Sequence, residues 1–310
     1  MNIVFMGTPE FALPTLEKIF HSRHRIAGIV TQPDRPRGRG HKLLPTPVKQ
    51  FALDHHLSPV LQPELLKDPD FISALRALNA DLFVVVAFRI LPEIIFTMPP
   101  KGCVNLHPSL LPKYRGAAPL NWAIIEGETR TGITSIFLQK QVDAGNMIMQ
   151  QEMPIYPEDT FGTLHDRLAP AGADLMLETL DRIEAGTVQT TAQDDSLATP
   201  APKLSKEICR LNFAQPAARV KNWIHGLSPF PGAYAFYREQ MVKFYRAKPV
   251  SSETADARPG EIIRAEKEDL WIACQPGVIA IQELQLEGRK VLKTGEFLRG
   301  MPLSTGERLE

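Results

Sequence analysis

The chain is poor in cysteine, in net charge and in long apolar runs, and each shortage closes off a class of protein. Its three cysteines, Cys103, Cys209 and Cys274, are an odd number with no Cys-x-x-Cys pair. A disulfide scaffold and a cysteine-rich zinc site are therefore excluded, and a reducing compartment is expected. Lys and Arg balance Asp and Glu at 35 each, so the chain is not a uniformly basic polyanion binder, and any nucleic-acid partner must meet a local patch. No apolar stretch reaches the roughly 18 to 20 residues of a membrane helix. Met1 to Gly7 carries no basic leader and runs straight into Pro9 and Glu10, which reads as a first strand rather than a secretion signal and gives a cytoplasmic expectation.

What is present suits a globular chain of two domains. Hydrophobic residues make up 44% and charged residues 23% of 310, enough apolar material for a sizeable core. Strand and helix signals alternate at first: Ile3 to Met6, then Thr8 and Pro9 as helix N-cap and first position, Ile26 to Thr31, Asp81 to Ala87, Cys103 to His107, a helix near Leu120 to Glu126, and Gly132 to Leu138. This alternation predicts an α/β domain with a Rossmann-like, mostly parallel sheet, with ligands beyond the carboxyl ends of its strands. A helix over about Thr160 to Ala185 follows. The Thr-, Asp-, Ala- and Pro-rich stretch after it suits a linker. From Tyr234 onward, short strand-like runs broken by Gly and Pro predict a small β-barrel. The boundaries read as 1–188 for the first domain, 189–205 for the linker and 206–310 for the barrel.

The segment Val104-Asn105-Leu106-His107-Pro108-Ser109 carries the first chemical signal. In an extended strand Asn105 and His107 share a face. Both side chains can donate to an oxygen that becomes negative as a tetrahedral centre forms. On spacing alone, a polar strand end capping its own backbone fits as well. Asp143, in Val142-Asp143-Ala144-Gly145-Asn146, is ordinary turn chemistry or a carboxylate that orients the imidazole and relays a proton. No metal site is expected, since no further His or Cys has ligand spacing. A second signal runs from Gln32 to Lys49, where Arg35, Arg37, Arg39, His41, Lys42 and Lys49 face a single acid, Asp34. Its prolines predict an irregular loop able to meet phosphates and base edges.

Asn105-Leu106-His107, then Ser109-Leu110-Leu111-Pro112-Lys113-Tyr114-Arg115-Gly116 and later Asp143-Ala144-Gly145, resemble the 10-formyltetrahydrofolate-dependent formyltransferases. The resemblance implies a catalytic trio of Asn105, His107 and Asp143. It also implies a folate site lined by Ser109, Leu110, Leu111, Pro112 and Phe88, with 10-formyltetrahydrofolate as formyl donor. The stretch from Gln32 to Gly40 resembles the tRNA-contacting loop of the members that act on methionyl-initiator tRNA. It implies tRNA contacts at Arg35, Arg37, Arg39 and Lys42, with Arg39 at the key arginine position. Met6 to Ala12 and Ser228 to Ala233 extend the likeness over nearly the whole chain and imply an oligonucleotide-binding (OB) type of C-terminal barrel that holds tRNA. The expected unit is a monomer. Three departures stand out: Arg89 replaces a glycine in a stretch one residue short, Pro108 follows His107, and Asn146 stands where Asp is common. Glycinamide ribonucleotide or amino-sugar formyltransferases, and an RNA-binding module with an inert first domain, are the rival readings.

Overall fold

The computed structural model describes residues 1–37, 42–253 and 256–310. Its strands are β1 (Asn2–Gly7), β2 (Arg25–Val30), β3 (Arg35–Arg37), β4 (Lys42–Leu44), β5 (Val60–Leu61), β6 (Leu82–Val86), β7 (Cys103–His107), β8 (Arg115–Gly116), β9 (Arg130–Phe137), β10 (Met147–Pro154), β11 (Pro200–Ala201), β12 (Ala233–Tyr237), β13 (Gln240–Ser251), β14 (Ile262–Glu266), β15 (Asp269–Ala273), β16 (Val278–Leu286) and β17 (Leu292–Lys293). The helices are α1 (Leu13–Phe20), α2 (Pro47–Asp54), α3 (Pro69–Ala77), α4 (Glu93–Phe96), α5 (Pro119–Ile125), α6 (Phe161–Ala185), α7 (Ala217–Gly226) and α8 (Thr294–Gly300). They pack as two compact units. The first comprises Met1–Gly116, Thr131–Met153 and His165–Pro200, the second Ala117–Arg130, Pro154–Leu164 and Ala201–Glu310.

The first unit is built on a seven-stranded sheet in the order β10-β9-β7-β6-β1-β2-β5. From β5 to β7 every pairing is parallel, and β9 joins β7 antiparallel. The mostly parallel sheet expected from the sequence is present. Every residue of β6, Leu-Phe-Val-Val-Val, is buried, as befits a central strand covered on both faces. On one face Phe71 and Leu75 of α3 and Ile95 of α4 meet Val4, Met6, Phe83, Val85 and Cys103. On the other, Leu106 of β7 lies so close to Gly172 of α6 that a Cβ there would stand 2.7 Å from its Cδ2.

One local expectation is corrected. Thr8 does not cap a helix beginning at Pro9: Pro9 precedes a short 3-10 turn, Glu10–Ala12, and α1 starts at Leu13. The reason is Pro14, which in a helix running from Pro9 would stand in the interior, where its ring clashes with the preceding turn. Beginning at Leu13 puts Pro14 in the tolerated first turn.

The second unit holds an antiparallel sheet in the order β12-β13-β16-β15-β14, with β17 beside β16. Val220 and Ile224 of α7 pack into a core with Phe244, Ile272, Ile279 and Leu284. Both edge strands are linked to one C-terminal segment. Phe236 and Glu310 exchange backbone bonds of 2.7 and 2.9 Å, while Ile262 donates to Glu307 and Leu309 to Gly260 at 2.8 and 2.9 Å. Neither edge is left as a free hydrogen-bonding ladder there.

Candidate active site

Strand β7 pairs with β6 in the register Val85↔Asn105 and Val86↔Leu106, so His107 projects one residue beyond the end of that pairing. Alternation sends Val104 and Leu106 one way and Cys103, Asn105 and His107 the other. Cys103 joins the core on that face, and the next two positions carry the polar groups. His107 is only 4% exposed. Its Nε2 lies 2.9 Å from the carbonyl oxygen of Tyr114, and Tyr114 presents that oxygen from a left-handed backbone at φ 61°. A carbonyl only accepts, so this contact assigns the proton to Nε2 and leaves Nδ1 as the working atom.

Nδ1 faces Asp143 Oδ2 at 3.7 Å. That separation is longer than a hydrogen bond and within reach of an ion pair when the ring carries a second proton. Asp143 itself takes a left-handed conformation, φ 52°, and its Oδ2 accepts the Gly116 N–H at 2.9 Å. Two residues on, Gly145 has no alternative, because a Cβ would come within 1.7 Å of the Phe137 carbonyl oxygen. Asn105 is half-buried, and among the described residues its side-chain amide has no hydrogen-bond partner. The structure thus brings the amide and imidazole to one strand face and the carboxylate to the imidazole's free side.

The loop after β7 is held by its own polar atoms. Ser109 is fully buried; its Oγ donates to Lys113 O at 2.6 Å, and its carbonyl accepts from Thr134 Oγ1 at 2.7 Å. Leu111 is 3% exposed, and its carbonyl accepts from Gln150 Nε2 at 3.0 Å. Ser109 and Leu111 therefore build the turn, whereas Leu110 and Pro112 are half-exposed. Phe88, also half-exposed, follows the end of β6. Arg89 is held by main-chain acceptors: its Nη1 and Nη2 donate to Glu64 O and Pro63 O at 2.9 and 2.7 Å, and its guanidinium carbon stands 5.4 Å from the Phe88 ring centre. This stretch is thereby tied to the Pro63–Glu64 backbone. Burial pulls the Arg89 pKa below its ordinary value.

The basic segment differs from the irregular loop expected of it. β3 and β4 form a ribbon with Arg35↔Leu44, Pro36↔Leu43 and Arg37↔Lys42 opposed. Pro36 is tolerated because a two-stranded ribbon has an outer side on which no N–H is needed. Arg35 is exposed, while Arg39 lies outside the described residues. Asp34 is already neutralised, by Lys49 Nζ at 2.6 Å and Gln62 Nε2 at 2.8 Å. These bonds, Lys49 first, hold its pKa below the ordinary carboxylate value.

Two cavities lie elsewhere. One of 670 Å³ is lined by Glu64, Leu65, Leu66, Arg89, Ile90 and Pro92 among others. Another, of 390 Å³ in the second unit, includes Arg210, Asn212, Gln215, Arg219 and Trp223. His24, Asp181 and Glu184 bring possible metal-ligand atoms within 4.8 Å of one another. Both carboxylates already hold cations there: Arg23 reaches Asp181 and Glu184 at 2.9 and 3.0 Å, and the Met1 ammonium reaches Glu184 at 2.8 Å. The donor set reads as an ion-pair cluster, not a cation site. The roles of the Tyr114 carbonyl and Gly116 N–H were not expected from residue type, since both are main-chain groups whose direction is set by the fold.

Comparison with known proteins shows the family. The family described as Formyl transferase matches residues 1–180, and the Formyl transferase, C-terminal domain, matches residues 203–302. A methionyl-tRNA formyltransferase from Geobacter sulfurreducens is 48% identical over 310 residues, covering 100% of this chain and 96% of that protein. Among solved structures, HypX from Aquifex aeolicus in complex with tetrahydrofolic acid has a TM-score of 0.67 at 18% identity. That match covers 100% of this chain, which spans 50% of the HypX chain. A methionyl-tRNA formyltransferase from Clostridium thermocellum has a TM-score of 0.56 at 16% identity, over 80% of this chain and 93% of that one. At such identities the two structures speak for the fold alone.

Proposed function

The chain belongs to the formyl transferase family, and from that premise we propose that it moves the formyl group of 10-formyltetrahydrofolate onto the α-amino group of methionyl-initiator tRNA. The observation that carries the chemistry is the pose of His107: Nε2 fixed on Tyr114 O, Nδ1 turned toward Asp143. The folate supplies the formyl carbon that a neutral amine attacks. As that carbon becomes tetrahedral, its oxygen gains negative charge; the Asn105 amide is a donor for it, joined by His107 Nδ1 once that nitrogen has taken a proton from the attacking amine. Each such donor typically lowers a barrier by roughly 3 to 4 kcal/mol. Asp143, beside Nδ1, orients the ring and helps carry the amine's proton to N10 as the bond between the formyl carbon and N10 breaks and tetrahydrofolate leaves. Leu110, Pro112 and Phe88 are the residues of the expected folate lining that keep exposed surface, and they form its wall in this reading.

Acceptor choice rests on the full-length likeness to methionyl-tRNA formyltransferases and on the ribbon of β3 and β4. With Asp34 paired to Lys49, Arg35 faces solvent on a segment whose sequence holds more Arg and Lys than acids, which suits phosphates of an acceptor arm. The working unit is a single chain, and the reaction belongs in the cytoplasm with its charged tRNA. Among the described residues no helix is long and apolar enough to cross a membrane.

The test is formylation measured in parallel with charged initiator tRNA, glycinamide ribonucleotide and a nucleotide-linked amino sugar. Product is expected with the tRNA alone. Efficient turnover of either small acceptor in its place would overturn the assignment. In the same assay, Arg35→Ala combined with Arg37→Ala should raise KM for charged tRNA, leave KM for the folate unchanged, and reduce the salt slope by about 1 per lost phosphate contact.

A further inference from the structure

We propose that Gln193 is a positioning residue that holds Asp143 against His107, an inference resting on the catalytic reading given above. Gln193 lies in the segment expected to be a plain linker, yet its side chain is fully engaged. Nε2 donates to the carbonyls of Asp143 and Gly145, both at 2.8 Å. Oε1 accepts from Arg115 Nε and Nη2 at 3.0 and 2.8 Å. An amide offers two N–H donors and one oxygen with two lone pairs, so all four positions are used. The orientation is dictated as well. Flipped, the amide would set its NH₂ against a guanidinium and its oxygen against two carbonyls.

Its surroundings tie the segment to both halves of the site. Thr191 and Met147 exchange backbone bonds of 2.8 and 2.9 Å, which lays 191 alongside the end of the Asp143 turn. Arg115 is itself anchored on Asp195 at 2.7 Å. Thr199 receives the Tyr114 N–H on its Oγ1 and the Arg115 N–H on its carbonyl, both at 2.9 Å, and Tyr114 is the residue whose carbonyl fixes His107. Asp143 sits at positive φ, a conformation that persists only where the surroundings enforce it. The Gln193 amide pins the carbonyl of that residue and the one two positions on. Without it the turn can relax, and the 3.7 Å spacing to Nδ1 is the quantity that changes.

The experiment is a double-mutant cycle on the full chain, using 10-formyltetrahydrofolate and charged initiator tRNA. Gln193→Glu keeps the size and the oxygen facing Arg115 but cannot donate to two carbonyls. It should lower kcat about tenfold to a hundredfold with both KM values nearly unchanged, the penalty of a misplaced catalytic group. In an Asp143→Asn background the same change should add less than about twofold, because the two residues act as one unit. Arg115→Met, which frees the amide from its anchor, should show the same coupling more weakly, and it carries the cycle if Gln193→Glu does not fold. Two results overturn the proposal while leaving the site intact: normal kcat in Gln193→Glu beside a crippled Asp143→Asn, or an equal loss from Gln193→Glu in both backgrounds. Normal turnover in Asp143→Asn removes the catalytic reading, and this inference falls with it.

Discussion

His107 and His225 are buried to nearly the same degree, 4% and 0% exposed, and each has a ring nitrogen on a backbone carbonyl, yet their surroundings ask opposite things of them. In the second unit, His225 Nδ1 meets Asp159 O at 3.1 Å, and its Nε2 lies 3.0 Å from Ala247 O and 3.3 Å from Ala247 N. A neutral ring can donate to only one of the two carbonyls: with its proton on Nδ1 it serves Asp159 O and accepts the Ala247 N–H at Nε2, while Ala247 O gains nothing from the ring. The charges that bear on it are cationic, Lys221 and Arg246. Burial first, and then Lys221, push its pKa down to about 4 from an ordinary 6.5. His107 in the first unit has one nitrogen fixed and the other turned to a carboxylate across a gap, beside an unpartnered amide. Burial therefore does not single out the histidine of the proposed site. What distinguishes it is an open ring atom facing a carboxylate.

The largest expected effect tests that distinction directly. Asn105→Ala and His107→Ala should each lower kcat by about a hundredfold to a thousandfold, the scale for losing one oxyanion donor, with melting temperatures that still report a folded chain. His225→Gln, measured beside them, should keep kcat within about twofold, since its ring touches only peptide groups of its own unit. A His225 variant as inactive as the His107 one would erase the contrast.

How far these sites could be read from the sequence follows from the range of the forces involved. The shared face of Asn105 and His107 was legible because two-residue alternation is a local rule, and the bounds of β7 fall where the strand signal puts them. The Asp143 turn was legible from Ala144-Gly145, which Gly145 explains by the backbone packed against it. What failed was decided by partners far along the chain. Gln193 joins Asp143 and Arg115 across 50 and 78 residues, and no spacing in the linker announces that. The ribbon of β3 and β4 was missed because Pro36 counts against a strand until pairing shows which side is free. His225 is one of several polar residues on α7, with Arg219, Lys221 and Asn222, and its contacts with Asp159 O and with Ala247 of β13 come from segments 66 and 22 residues away.

A smaller effect comes from the enclosed histidine and appears as stability. Its folded pKa lies below the unfolded one, so the unfolded chain binds the extra proton first. The stability of the neutral form is complete above pH 6.5 and is lost as pH falls toward 4. The loss is on the order of 3 kcal/mol once pH is below both values. Urea unfolding at about pH 7 and about pH 4.5 should show a steep decline in the parent chain and a shallower one in His225→Gln, whatever the variant's absolute stability. Parallel declines would mean that the ring does not resist protonation in the folded state.

The smallest effect separates burial from charge as causes of that behaviour. Lys221 stands one helical turn before His225 on α7; its Nζ donates to Pro157 O, and burial pulls its own pKa down. Lys221→Met removes a positive neighbour while keeping an unbranched apolar stem of similar reach. His225 then protonates at a higher pH, and the acid decline in stability should shrink by less than in His225→Gln, because desolvation outranks Lys221 among the causes. Titration of the His225 ring protons by NMR in both chains provides the check. An unchanged midpoint would assign the whole effect to burial, whereas a return to the ordinary value would make the lysine, and not enclosure, what separates this histidine from His107.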